Sequence, residues 1–403
     1  MSEDRERHRK EIIKGMIKRL HEGESPESVK KEFEELVETA TPTEIAQAEE
    51  ALIGEGIPRE EIRRLCDVHL SVVKKFIEEK ESLEPDWHPV QILLNEHKVL
   101  LGYAERGRSI AKDVEKAADA SFAEESIEGL RALTEDLKKS QKHYEREENV
   151  LFPYLEKHGI TQPPAVMWME HDRIRELEKG LYELVSSLPE ASFDSFKSRL
   201  VDLSTSLEEM LESHFYKENN VLFPAALEVV EEAEWPDIRE QFDQIGYFAA
   251  APPEMPIEKA PPKPAPGLAG EVSFHTGSLS VEQLEGILNA LPVEITFIDA
   301  EDAVKYFNQP KDVIFVRTKA VIDRKVQQCH PQKSLDKVNQ IVEDFKSGVR
   351  DVAEFWIDLE GRKIHIRFFP IRDDRGEYLG CLEVVQDITE IQKLTGEKRL
   401  LEM

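Results

Sequence analysis

The chain has 403 residues, a third of them charged, and carries a formal net charge of −29. That length exceeds one ordinary domain and predicts two or three, while so acidic a chain repels nucleic acid and anionic membrane surfaces. No apolar run approaches the roughly 20 residues of a membrane span, the start MSEDRERHRKEIIKG has no apolar signal region, and Cys66, Cys329 and Cys381 are too scattered for a disulfide framework. The expectation is a cytoplasmic protein that binds neither nucleic acid nor membrane.

Residues 8–80 read as helices. RKEIIKGMIKRLHEG carries apolar residues at helical spacing, and SPESVKKEFEELVETA opens with Ser25 as N-cap and Pro26 at the first position. Thr41 and Pro42 repeat that device, and Gly54 and Gly56 close the segment. Cys66 and His69, three residues apart in LCDVH, could share one metal, but a cysteine there more often packs in a core.

Two copies of one segment follow: HYEREENVLFP from His143 and HFYKENNVLFP from His214. Each places a His four residues before a Glu, His143 with Glu147 and His214 with Glu218. Positions i and i+4 share a helix face, so each segment presents an imidazole and a carboxylate towards one point. A Glu-His pair precedes each copy, Glu96-His97 and Glu170-His171, so the repeat spans a helix with one His, a loop, and a helix with His-x-x-x-Glu. A single His–Glu pair on so charged a chain belongs on a solvated face. Recurrence inside the same apolar flanks favours a metal site in the core of a four-helix bundle. Four His and two Glu suffice for two metal ions if the carboxylates bridge, and mixed nitrogen and oxygen donors suit iron above all. Glu96 and Glu170 are rotated about 100° from their His neighbours and are expected to be supporting or surface groups. His88, nine residues before His97 and ahead of Pro89, falls at the helix N-cap edge, about half a turn out of phase, where it could fold back to give the site a fifth nitrogen or lie at the bundle's end.

On these motifs, residues 85–232 resemble a hemerythrin-like four-helix bundle of the HHE cation-binding type. The resemblance implies a non-haem di-iron centre held by His97, His143, Glu147, His171, His214 and Glu218, with Glu147 and Glu218 bridging. Oxygen-carrying hemerythrins have a second His one turn after the third-helix ligand, where this chain has Arg175. They also have His-x-x-x-x-Asp in the fourth helix, where this chain has His214-x-x-x-Glu218. The departures point to sensing, nitric oxide chemistry or iron handling instead of reversible oxygen carriage. Residues 8–80 resemble a helical domain of unknown function found ahead of such bundles, on the LCDVH string.

Between 250 and 270 the chain packs seven prolines into positions 252–266, a composition that favours extended polyproline II and a semi-rigid spacer. Beyond it the period changes. GSLSVEQLEGILNALPVEITFIDAEDAVKYFN reads as helix, strand, turn and strand, and SLDKVNQIVEDFKSGV as a helix closed by Gly348. DVAEFWIDLEG, RKIHIRFFPIRDD and GEYLGCLEVVQDIT form three strand candidates of an antiparallel meander. Residues 278–392 therefore resemble a PAS domain, best in LPVEITFIDAED and FFPIRDDRGEYLGCLEVVQDIT. The likeness implies an α+β fold and allows an unknown ligand in its interior. Cys329-His330-Pro331 could be a soft-ligand pair, but a local helix-entry role is favoured. TEIQKLTGEKRLLEM is expected as a closing helix.

The expected architecture is multidomain: an all-α N-terminal region with a four-helix hemerythrin-like bundle, then an α+β PAS domain with an antiparallel sheet. The favoured reading is a sensor whose di-iron site responds to oxygen, nitric oxide or redox state. A protein output partner or self-assembly as a homodimer would carry the signal. A di-iron enzyme reducing oxygen, peroxide or nitric oxide, or an iron store or donor, is the alternative, so enzymatic turnover is left open.

Overall fold

The computed structural model describes Arg19 and residues 84–119, 123–188, 192–256 and 271–397. The remaining helical segment expected over 8–80, with Cys66 and His69, and the proline-rich stretch from 257 to 270 lie outside the described residues. The chain divides after Pro256 into two compact units. Among the described residues no helix is long and apolar enough to cross a membrane.

In the first unit, α1 spans Pro89–Lys116. It starts where Pro89 fixes the first helical position and His88 Nδ1 accepts the Val90 N–H at 3.3 Å. His88 thus caps the helix instead of reaching the bundle centre. The second bundle rod is segmented: α2 (Glu124–Lys139), a break at buried Ser140 whose Oγ donates to the Leu137 carbonyl, then α3 (Gln141–Arg146) and α4 (Phe152–Lys157). α5 (Gln162–Ser186) and α6 (Phe193–Lys217) form the third and fourth rods, and α7 (Phe223–Val229) continues the fourth. α6 lies along both α1 and α5. α8 (Trp235–Ile245) packs across α1 and α3 at one end. The lower bundle is apolar, with Leu100, Leu133, Leu137, Ile174, Leu181 and Leu211 among the side chains that meet there.

Both repeat segments contain a π-helical turn, Glu147–Leu151 between α3 and α4 and Glu218–Leu222 between α6 and α7. Each begins at the Glu of the His-x-x-x-Glu motif and ends just before Phe-Pro. The proline that follows favours the local slip, because it lacks an N–H and cannot donate the regular i→i−4 hydrogen bond at that point. Sequence periodicity is blind to such a one-residue wide turn.

In the second unit a hairpin, β1 (Glu271–Phe274) and β2 (Gly277–Ser280), precedes the expected elements. α9 (Val281–Ala290) begins with a capping box in which Ser280 and Gln283 each bond the other's backbone N–H. β3 (Glu294–Asp299), β4 (Val304–Phe307), α10 (Leu335–Lys346), β5 (Ala353–Leu359), β6 (Arg362–Arg372) and β7 (Tyr378–Asp387) follow. The sheet order is β4-β3-β7-β6-β5, antiparallel at every pairing. Ile298 sits opposite Cys381, and Ile366 opposite Val385. Gly380 has a positive φ of 152°, and a Cβ there would collide with the Ile298 carbonyl, so the β3–β7 approach requires glycine. Ile298, Val304, Val321, Val326 and Val342 form one core cluster, and Phe345 of α10 packs with Ala353 and Cys381 in another.

The fold is the expected one, an all-α bundle unit and an α+β PAS-like unit, with two departures in detail. The β1–β2 hairpin was not anticipated. In the segment expected as a closing helix, the described residues run to 397; Ile391–Lys393 form a 3-10 turn and residues 394–397 are not helical. Cys329 ends a 3-10 turn and donates to the Lys325 carbonyl, and the His330 ring pairs with the Val326 carbonyl. Both serve their own segment, ahead of α10.

Candidate metal centre

Four helical rods bring the six side chains expected as ligands to one place. His97 comes from α1, His143 from α3, His171 from α5 and His214 from α6, and the two π turns supply Glu147 and Glu218. All six are buried. They form two overlapping groups whose donor atoms lie within 4.8 Å of one another. His97 and His143 make one with Glu147 and Glu218, and His171 and His214 make the other with the same two carboxylates. His214 Nε2 is 3.0 Å from Glu218 Oε1, and His97 Nε2 is 3.1 Å from Glu218 Oε2. His171 Nε2 is 3.2 Å from Glu147 Oε2. His143 stands further off, 3.8 Å from the same oxygen.

Whether these residues suit a metal can be judged from their hydrogen bonds. Each imidazole uses Nδ1: His97 with Asn219 Oδ1 at 2.8 Å, His143 with Glu96 at 2.8 Å, His171 with Glu148 at 2.8 Å and His214 with Glu170 at 2.9 Å. Donation from Nδ1 fixes the tautomer and leaves the Nε2 lone pair aimed inward. All four Nε2 atoms, and both oxygens of Glu147 and Glu218, are buried without a hydrogen-bond partner. Leaving one buried polar atom unpaired costs about 1–3 kcal/mol, and here eight converge on one point. Nitrogen and carboxylate donors in that arrangement fit a cation of the iron type.

Electrostatics agree with that fit. Burial, followed by the charge of Glu218, pushes the Glu147 carboxyl up to about 8. Burial drives His143 down to about 4 and keeps it a neutral ligand. Burial also opposes charging of His171, yet Glu147, Glu148 and Glu218 outweigh it and hold this imidazole well above its ordinary value. The cluster therefore favours holding a proton, which a bound cation would displace.

A second ring of side chains supports the imidazoles. Glu96 also pairs with buried Arg146, and Glu170 with Lys217 at 2.5 Å. Glu148 pairs with Arg175 at 2.8 Å. Glu96 and Glu170, expected as supporting or surface groups, are thus buried supports. Arg146, Glu148, Lys217 and Asn219 were not singled out in the sequence, although the repeat offered a signal. Arg146 and Lys217 each follow the motif His by three residues, and Glu148 and Asn219 by five. Arg175 does not point its charge at the centre. Its Nε donates to Gln141 at 3.0 Å and its guanidinium lies over the Tyr144 ring.

The family comparisons agree with this geometry. The description "Hemerythrin HHE cation binding domain" matches residues 88–226, "PAS domain" matches 284–389, and a family of unknown function matches 13–79. The iron-sulfur cluster repair protein YtfE of Salmonella schwarzengrund is 30% identical over 179 residues, covering 40% of this chain and 79% of that one. This chain belongs to the hemerythrin HHE family. An uncharacterized protein of Mycobacterium tuberculosis is 31% identical over 157 residues, and the match spans 38% of this chain but only 58% of that relative. Among solved structures, a C-terminal domain from Streptococcus mutans is 38% identical, covers 31% of this chain and 98% of that one, and superposes with a TM-score of 0.30. The PAS domain of Bordetella pertussis BvgS is 21% identical, covers 28% and 88%, and has a TM-score of 0.23. The HHE unit carries the buried His/Glu cluster that makes this a metal-binding protein.

One buried acid of the HHE unit stands outside the centre. Glu178 accepts from Gln141 at 2.7 Å and Tyr182 at 3.5 Å, while its Oε1 has no partner. Burial pushes its carboxyl up to about 8 against the pull of Arg175. The folded chain then holds a proton that the unfolded chain releases above its ordinary carboxylate range. This contribution to stability is complete below about 4.5 and is lost as pH rises to about 8. In the metal-free chain Glu178→Gln is expected to flatten that decline, recovering up to roughly 4 kcal/mol at pH 8 and little at pH 4.5. Urea unfolding at the two pH values checks it; parallel declines in both proteins would contradict the assignment.

Proposed function

We propose that the HHE unit binds two iron ions, one at His97 and His143 and the other at His171 and His214, with Glu147 and Glu218 bridging. The reduced centre would bind oxygen or nitric oxide, and the chain would work as a sensor whose output runs through the PAS unit to a protein partner. The observation that carries this reading is the convergence of eight unpartnered, buried donor atoms from two copies of one motif. Each metal position is offered two imidazole nitrogens and an oxygen from each carboxylate, a donor set that leaves room for a small ligand. Iron bound there would supply electrons to an oxidising diatomic molecule. The residues do the rest. Glu96, Glu148, Asn219 and Glu170 hold the four rings in one tautomer, and buried Tyr144, Phe152, Phe215 and Phe223 keep bulk water from them.

A second reading has its own support. The likeness to proteins named for iron-sulfur cluster repair favours an iron-handling role in which iron leaves the bundle for an acceptor. One experiment separates the two. The full chain is loaded anaerobically with ferrous iron and exposed to nitric oxide or oxygen, with absorbance followed and iron in protein and filtrate measured. A sensor changes its spectrum and keeps its iron, a donor loses iron to an added apo-acceptor, and a chain whose spectrum does not respond to either gas contradicts the sensor reading.

A further inference from the structure

The two halves of the centre are pseudo-symmetric in their ligands but not in what stands behind them. Three of the four imidazoles back onto a carboxylate, and each of those carboxylates has its own cation: Glu96 with Arg146, Glu170 with Lys217 and Glu148 with Arg175. The fourth, His97, backs onto the neutral amide of Asn219. Asn219 occupies the repeat position of Glu148. The repeat position of Arg175 holds Leu101, since each lies four residues after its half's Glu-His histidine. The acid and its cation are thus exchanged together for an amide and an apolar side chain, which makes the difference a paired one.

We infer that the two metal positions are built unequal, the one at His171 and His214 to hold its ion tightly and the one at His97 and His143 to release it. The inference rests on the two-ion reading above. A hydrogen bond from Nδ1–H to a carboxylate is charge-assisted and makes the imidazole a stronger donor than the same bond to an amide. The position at His171 and His214 has two such imidazoles, and the other has one. Removing a partner of this kind changes metal affinity by about 10–100-fold, so the two ions should differ by at least about tenfold in release. Glu148 and Asn219 act here through His171 and His97, as positioning residues.

The test uses the full chain loaded anaerobically with ferrous iron, its iron content measured first, then mixed with excess chromogenic ferrous chelator. Two phases of equal amplitude, about tenfold or more apart in rate, are expected. Glu148→Gln should speed the slow phase alone, by about tenfold. Asn219→Asp combined with Leu101→Arg, which supplies the matching cation, should slow the fast phase alone. A single phase releasing both ions, or an Asn219→Asp/Leu101→Arg protein that loads two ions and keeps the fast phase unchanged, would overturn the inference. A chain that never loads more than one ion fails earlier, at the stoichiometry, and takes the two-ion reading with it.

Discussion

Replacing His143 and His214 together by alanine is expected to lower bound iron from about two ions per chain to near zero. Each substitution removes one of the two imidazoles offered to one metal position, so neither position keeps more than a single nitrogen and shared carboxylates. A lost ligand should cost more than the 10–100-fold typical of a lost supporting partner. The double variant should therefore come through desalting almost free of iron. Anaerobic reconstitution and metal analysis measure this, with the far-ultraviolet circular dichroism confirming that the helices persist. Full iron in the double variant would remove His143 and His214 from the ligand set.

Lys217→Met should produce the largest loss of stability from a single side chain away from the metal-facing atoms. Lys217 is 3% exposed and its ammonium lies 2.5 Å from Glu170, itself buried at 1%. Removing the cation leaves a buried carboxylate held by His214 alone, a change that costs about 3–5 kcal/mol. The double variant Glu170→Gln/Lys217→Met should recover most of that stability, because no uncompensated charge remains. It should still bind iron less well than the unaltered chain, since His214 then backs onto an amide. Chemical denaturation of the metal-free proteins reads the first effect, and iron titration reads the second. A Lys217→Met protein as stable as the parent would show that Glu170 needs no buried counter-charge.

The six candidate ligands were legible because the chain writes them twice. A single His143–Glu147 pair carries little information, but its return at His214–Glu218 behind a second Glu-His pair singles out the six side chains that the bundle brings together. The strands of the PAS unit were legible from β-branched and aromatic runs between turn residues. Of the supporting ring, Glu96 and Glu170 were read as supporting or surface groups, but Arg146, Glu148, Lys217 and Asn219 were not, although their positions lie inside the same repeat. Arg146 and Lys217 look like ordinary surface cations until burial is known, and only the fold shows them turned inward on Glu96 and Glu170. Arg175 is the instructive case. Sequence alone set it one turn from His171 as a cation near the centre, whereas Glu148, five residues past His143, captures it. The π turns escaped because a one-residue wide turn leaves the apolar pattern unchanged, and the β1–β2 hairpin because its strands are only four residues each and largely exposed.

The most direct test of the two-iron account is anomalous X-ray scattering at the iron edge from crystals of the anaerobically loaded chain. Two peaks in the bundle are predicted, one beside His97 and His143 and one beside His171 and His214, with Glu147 and Glu218 reaching both. A single peak, or iron bound away from these six side chains, would contradict it.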